Sequence, residues 1–164
     1  MELNMFDEFW FKVKIQSAHG VFAVECQILY PPDILAPVLD ADGAVVTRLG
    51  TFLGPGDNEV MLNARLEDDQ PGKIIVALNK FGDETPNTGA GSLFDVLFHC
   101  VGEGEGEIRF AQSRISDAED KTFSSKWASA KIKVAGINIV SVDIDVVSRG
   151  AEPQELEVMW DIAG

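Results

Sequence analysis

The chain has only two cysteines, Cys26 and Cys100, and two histidines, His19 and His99. Two thiols make at most one bridge. They build neither a disulfide scaffold nor a zinc cluster. Neither histidine has a serine or cysteine near it in a nucleophile motif. His99 and Cys100 are neighbours, so on a strand they point to opposite faces and cannot act together. No phosphate loop, nucleophile elbow or paired metal motif appears. Acid pairs abound, but with 27 Asp and Glu they arise by chance. The sequence therefore reads as a non-enzyme.

Long apolar runs are also missing. None approaches the roughly 18 residues a membrane span needs. The opening Met1-Glu2-Leu3-Asn4-Met5-Phe6-Asp7-Glu8 lacks the basic region and apolar stretch of a signal peptide. Either the protein stays in the cytosol or the sequence starts after a removed leader. Cations are few, 13 Lys and Arg against 27 acids, for a net charge of −14. Such a surface repels phosphate backbones and anionic headgroups, which argues against nucleic acid and acidic membranes and favours a basic partner or calcium. No segment keeps a helical 3.6-residue period beyond two turns.

What remains is strand. The 164 residues suit one domain with a sizeable core, and 46% hydrophobic with 24% charged residues excludes wholesale disorder. Phe9 to Ile15 ends in alternation. From Val21 to Tyr30, Phe22, Val24, Cys26, Ile28 and Tyr30 point one way and Ala23, Glu25 and Gln27 the other. Pro31-Pro32 stops that ladder, since proline donates no hydrogen bond. Ile34 to Leu39 reads as an edge or bulged strand. Gly50 to Asp57 reads as a loop. Val60 to Leu66 alternates, and Asp68 to Gly72 is a turn. Strands follow at Lys73–Lys80 and Leu93–Val101, with a polar, glycine-rich loop at Phe81–Gly91 between them. Gly102 to Glu107 reads as a solvated turn that cannot pack. Ile108–Ile115 and Ala130, Ile132, Val134 are further strands, with an acidic turn at Asp117–Lys121. The tail alternates again over Ile137–Val147, and Leu156, Val158 and Trp160 form a last candidate. Many short strands with frequent turns predict a β-sandwich.

Several of these stretches, in order, resemble cohesin modules. Gly20 to Leu35, with Tyr30-Pro31-Pro32-Asp33-Ile34-Leu35, is similar to the second and third cohesin strands, where Tyr-Asp-Pro precedes a leucine; here Pro31 replaces the Asp. Gly72 to Ala77 resembles the fifth strand and Gly91 to Phe98 the sixth. Gly102 to Phe110 matches a glycine turn and the strand after it, and Arg114-Ile115-Ser116-Asp117-Ala118 the family's ending. The similarity spans roughly Phe9 to Val134. It implies an all-β, nine-stranded or slightly larger jelly-roll-like sandwich over residues 1–136. Residues 137–164 then add strands or a hairpin to the same domain, or begin a following module.

The resemblance also implies noncovalent recognition of a dockerin module, in an extracellular or surface polysaccharide-degrading assembly. A carbohydrate-binding module on the same sandwich is the alternative, with polysaccharide as its partner. A third reading is an acidic structural or adhesin domain that contacts other proteins through its strand edges. In cohesins the dockerin face is made by the third, fifth, sixth and eighth strands. Carried over, this puts Ile75, Ala77 and Asn79 outward beside Asp95, Leu97 and His99, with Ala36 and Val38 on the third strand. Ile75, Ala77 and Leu97 would form an apolar plateau of the kind that marks an interface. Asp40-Ala41-Asp42-Gly43 is a weak calcium candidate, because alternate acids can converge on a cation, but the other ligands of a full loop are missing. No other cofactor is expected. Cys26 and Cys100 fall on inward positions of opposite sheets, too far apart to bridge if sheets pack about 10 Å apart. Trp10, Trp127 and Trp160 lie on separate strands and read as packing rather than as a sugar-stacking row.

Overall fold

The computed structural model describes residues 2–54, 60–81, 85 and 87–136. Eleven strands follow in order: β1 (Glu2–Asn4), β2 (Glu8–Val21), β3 (Ala23–Leu29), β4 (Leu35–Pro37), β5 (Thr47–Leu49), β6 (Val60–Leu66), β7 (Lys73–Lys80), β8 (Asn87–Cys100), β9 (Gly104–Ser116), β10 (Thr122–Phe123) and β11 (Ala130–Ala135). The larger sheet runs β1-β11-β9-β3-β7-β6, with β10 also on β9. The smaller runs β2-β8-β4, with β5 also on β8. Every ladder is antiparallel except β1–β11. This is the expected all-β sandwich. Its strand count exceeds nine because four short strands join the longer ones. The predicted tail strands at 137–164 lie outside the described residues.

The period-two pattern decides which face is inside. On β7, Ile74, Val76 and Leu78 are buried and Ile75, Ala77 and Asn79 half-buried on the outer side. Val24, Cys26 and Ile28 of β3 join them from one sheet; Phe9, Phe11, Val13, Phe94, Val96 and Phe98 face them from the other. Phe98 is the hub: its ring stacks on Phe9 at 5.8 Å and meets Tyr30 edge-on at 5.4 Å.

Two predicted loops are strands instead. Asn87–Gly91 extends β8 and pairs irregularly with the far half of β2 (Ile15 with Gly91, Ala18 with Gly89). Glycine and polar content hid it, because both partners carry bulges there. Gly104–Glu107 opens β9 against β11. The alternation that read as unpackable is a strand with glycines inward and glutamates outward. A Cβ at Gly106 would lie 2.6 Å from the Pro31 ring, so only glycine fits beneath it. Outside, Glu105 and Glu107 stand opposite Lys133 and Lys131.

Gly50 marks another close approach. A Cβ there would sit 2.2 Å from the backbone oxygen of Ser92, in the crossing of β5 over β8. Gly50→Ala is expected to destabilise the fold by about 1–3 kcal/mol, because backbone must shift. Chemical denaturation reads the change, and a loss under about 0.5 kcal/mol would contradict the approach.

Both thiols are free and buried, Cys26 on β3 in the larger sheet and Cys100 on β8 in the smaller. Burial pushes Cys26 up to about 12. Burial, and then the nearby Asp7 carboxylate, push Cys100 up to about 11. Neither is a nucleophile near neutral pH. The sign follows: an unfolded thiol near 9 ionises first, so the stability these thiols lend is complete below about pH 9 and falls as pH rises towards 11–12. We expect both thiols to resist a thiol reagent at about pH 8 until denaturant is added. We also expect the double Cys→Ala variant to lose less stability on alkalinisation than the parent.

Candidate recognition face

The predicted plateau divides between two faces. Ile75, Ala77 and Asn79 lie on the outer side of β7, inside the larger sheet. Asp95, Leu97 and His99 lie on β8, in the smaller sheet, and Ala36 pairs there with His99. Val38 joins them through its N–H, which donates to Leu97 O at 2.9 Å. The outer sides of the two sheets face away from each other, so one partner cannot touch both groups across a flat contact. The resemblance to cohesins put 34–39 and 93–98 on one face with β7. Pairing puts β4 and β8 in the smaller sheet and β7 in the larger.

The larger sheet presents four adjacent strands, β9-β3-β7-β6, paired without a slip from β3 through β7 to β6. One row across it is Asn63, Ala77, Glu25 and Arg114; the next is Arg65, Ile75, Gln27 and Ala111. Met61, beside Asn79, extends the apolar surface and is 55% exposed. Between Glu25 and Gln27 the β3–β9 register slips, and Gln112 there takes φ of 46°. The bulge keeps both Ala111 and Arg114 on the outer face. Gln112 Oε1 accepts a hydrogen bond from Gln27 Nε2 at 2.8 Å, tying the two strands across the surface.

Around Ile75 and Ala77 stand Arg65, Lys73, Arg109 and Arg114. Glu25 is the single acid among the outward positions of β3, β6, β7 and the part of β9 that pairs with β3. Lys73 pairs with Glu67 at 3.6 Å and Arg114 with Asp120 at the rim. In a chain of net charge −14 this is a local reversal of sign. Of these positions the sequence reading assigned only Ile75, Ala77 and Asn79 of β7 to the recognition face. The alternation of β3 and β6 was visible, but nothing local says that those strands flank β7.

The smaller sheet's outer face differs. The Arg48 guanidinium lies 3.7 Å over the Trp10 ring, and Asp95, buried, stands in register between Lys12 and Arg48. Trp127 lies off the strands, between β10 and β11, with its ring 4.7 Å from Phe110. Trp160 is outside the described residues. Neither described tryptophan offers the open row that sugar stacking needs. Asp40 and Asp42 form a turn. The Asp40 carboxylate accepts from the N–H groups of Asp42 and Ala44, each at 2.9 Å. Asp117 closes its own turn likewise, accepting from Glu119 and Lys121. These carboxylates serve the backbone. Among the described residues no group of three metal-ligating side chains gathers, and no helix is long and apolar enough to cross a membrane.

No family model and no curated protein matches the chain. Solved structures do. A non-cellulosomal cohesin from Archaeoglobus fulgidus superposes with a TM-score of 0.63 at 17% identity, over 82% of this chain and 85% of that one. A type II cohesin from Bacteroides cellulosolvens gives 0.67 at 12% identity, over 82% and 94%. The sixth cohesin of scaffoldin B from Acetivibrio cellulolyticus, solved with a dockerin mutant, gives 0.62 at 13%, over 82% and 93%. At such identities the shared property is the fold, and the chain folds as a cohesin-type β-sandwich.

Proposed function

We propose that this sandwich is a non-catalytic recognition module that binds a dockerin-bearing protein on the outer face of β9-β3-β7-β6. The observation that carries the reading is the register-aligned platform around Ile75 and Ala77. It is apolar at its centre, hydrogen-bonding at Gln27, Asn63 and Asn79, and cationic at its rim. Apolar centres with polar rims are the usual anatomy of protein interfaces. The fold neighbours add weight, since some were solved as cohesin–dockerin complexes.

The whole-chain charge pointed to a basic partner. The face itself points to one with acidic groups around an apolar contact, because rim charges steer association and reject like charge. Such a module works outside the cell or at its surface, holding a dockerin-bearing enzyme or adaptor in place. It needs no cofactor of its own. Titration calorimetry against dockerins of the source organism, with calcium and then with chelator, tests this. Saturable, calcium-dependent heat that weakens as salt rises is expected. No heat with any dockerin, together with retardation in a polysaccharide gel, would replace this reading with the carbohydrate-binding one.

A further inference from the structure

Arg114 is placed on the recognition face by a bulge and held there by a turn. Counted from Gln27 and Ala111, an unslipped β3–β9 ladder would set Ser113 opposite Glu25. The slip sets Arg114 there instead, on the outer side. Beyond β9 the chain folds back as β10, with Thr122 against Ser116 and Phe123 against Ile115. Asp117 closes the turn between them. Its carboxylate accepts from the Glu119 and Lys121 N–H groups at 3.1 and 2.8 Å, and its carbonyl from Asp120 N–H at 3.2 Å. Asp120 takes φ of 64°, in the left-handed region. Strain kept in a fixed turn marks a segment whose shape is used.

The turn grips the arginine at two nitrogens. Nη2 donates to the Asp120 carboxylate and, at 3.3 Å, to the Asp120 carbonyl. Nε donates to Thr122 Oγ1 at 3.1 Å. Two tied nitrogens fix the plane of the guanidinium as well as its place. Lys73, on the same face, is held differently: one rotatable ammonium donates to Gln70 at 3.1 Å and pairs with Glu67. The Arg114–Asp120 pair lies at the surface, its side chains 38% and 79% exposed, and such pairs add little to folding stability. Glu25 in register and Asp120 in contact also offset the arginine's charge. What Arg114 offers a partner is therefore less net charge than a planar donor already set in one rotamer. Binding then loses less side-chain entropy.

We infer that Asp120 and Thr122 are positioning residues for dockerin binding, an assignment that rests on the function proposed above. They hold Arg114 as a preformed donor to a carboxylate of the dockerin. Charge alone predicts the opposite sign for Asp120: deleting an acid from this rim would tighten the grip on an acidic partner. Positioning predicts that the deletion weakens it.

Calorimetry of the full chain against dockerins of the source organism, at one salt concentration, tests this. Asp120→Gly suits the left-handed backbone but lacks the carboxylate, and affinity should fall about five- to tenfold. Asp120→Asn loses the same charge, yet its amide oxygen still accepts and asparagine tolerates the conformation, so affinity should stay within about twofold of the parent. Thr122→Val removes the Nε acceptor and should weaken binding about as much as Asp120→Gly. In an Arg114→Ala background all three should change affinity by less than about twofold. The Arg114 Nε–H resonance reads the same grip without a partner: it should exchange with water at least about tenfold more slowly in the parent than in Thr122→Val. If the parent binds a dockerin and Asp120→Gly binds it equally or more tightly, the positioning role is overturned and the dockerin face stands. Equal Nε–H exchange in the parent and Thr122→Val would overturn it as well. A parent that binds no dockerin would overturn both.

Discussion

Ile75→Asp should weaken dockerin binding by at least about 2 kcal/mol, some thirtyfold in Kd, while Leu97→Asp changes it less than about threefold. Ile75 sits on β7, an interior strand of the larger sheet, flanked in register by Arg65 and Gln27. A carboxylate there would be desolvated under a partner that already brings acidic groups to the cationic rim. Leu97 lies on the outer side of the smaller sheet, opposite Trp10 on β2. The pair of variants separates the two faces that the sequence reading had merged. Calorimetry gives the affinities and a melting curve confirms that each variant is folded. If Leu97→Asp abolished binding and Ile75→Asp did not, the recognition face would be the smaller sheet, and the proposed partner chemistry would fall with it.

The outward set on β7 came from the resemblance to cohesins, because Ile74 to Leu78 is apolar on both faces in the sequence; the structure buries every second residue from Ile74 to Lys80. Alternation fixes which residues share a side of one strand. It is silent on which strand lies next, because partners such as Glu25 and Ala77 are brought together by folding, not by spacing. That gap explains the divided plateau. β8 was harder still. Leu93, Phe94, Asp95 and Val96 are buried in succession, since the register slips at Val13/Lys14 and β5 covers the other side. A fully buried run carries no period from which to read a face. The Gly-Glu repeat misled for a different reason. Glycine in a strand usually weakens it, but here Pro31 and Ile34 occupy the space its side chains would need. The opposed positions of Cys26 and Cys100 were recoverable, because each sits on a strand whose inward phase is set by large neighbours.

Phe98→Ala should cost about 3–5 kcal/mol of stability, the largest single loss expected in this core. The side chain is fully buried. Its ring touches Phe9, Phe11 and Tyr30, so it joins two strands of the smaller sheet to the end of the Tyr30-Pro31-Pro32 turn that leaves the larger. Removing the ring forfeits its transfer energy and leaves a cavity among rigid neighbours that cannot close over it. Domains of this size hold only about 5–15 kcal/mol in total, so the variant should unfold at a much lower denaturant midpoint with an unchanged slope. Phe98→Leu keeps most of the volume and should recover more than half of the loss. A loss below about 1 kcal/mol for the alanine variant would mean that the two sheets do not meet at this ring. The inward phase of β8, and with it the outward placement of Leu97, would then have to be redrawn.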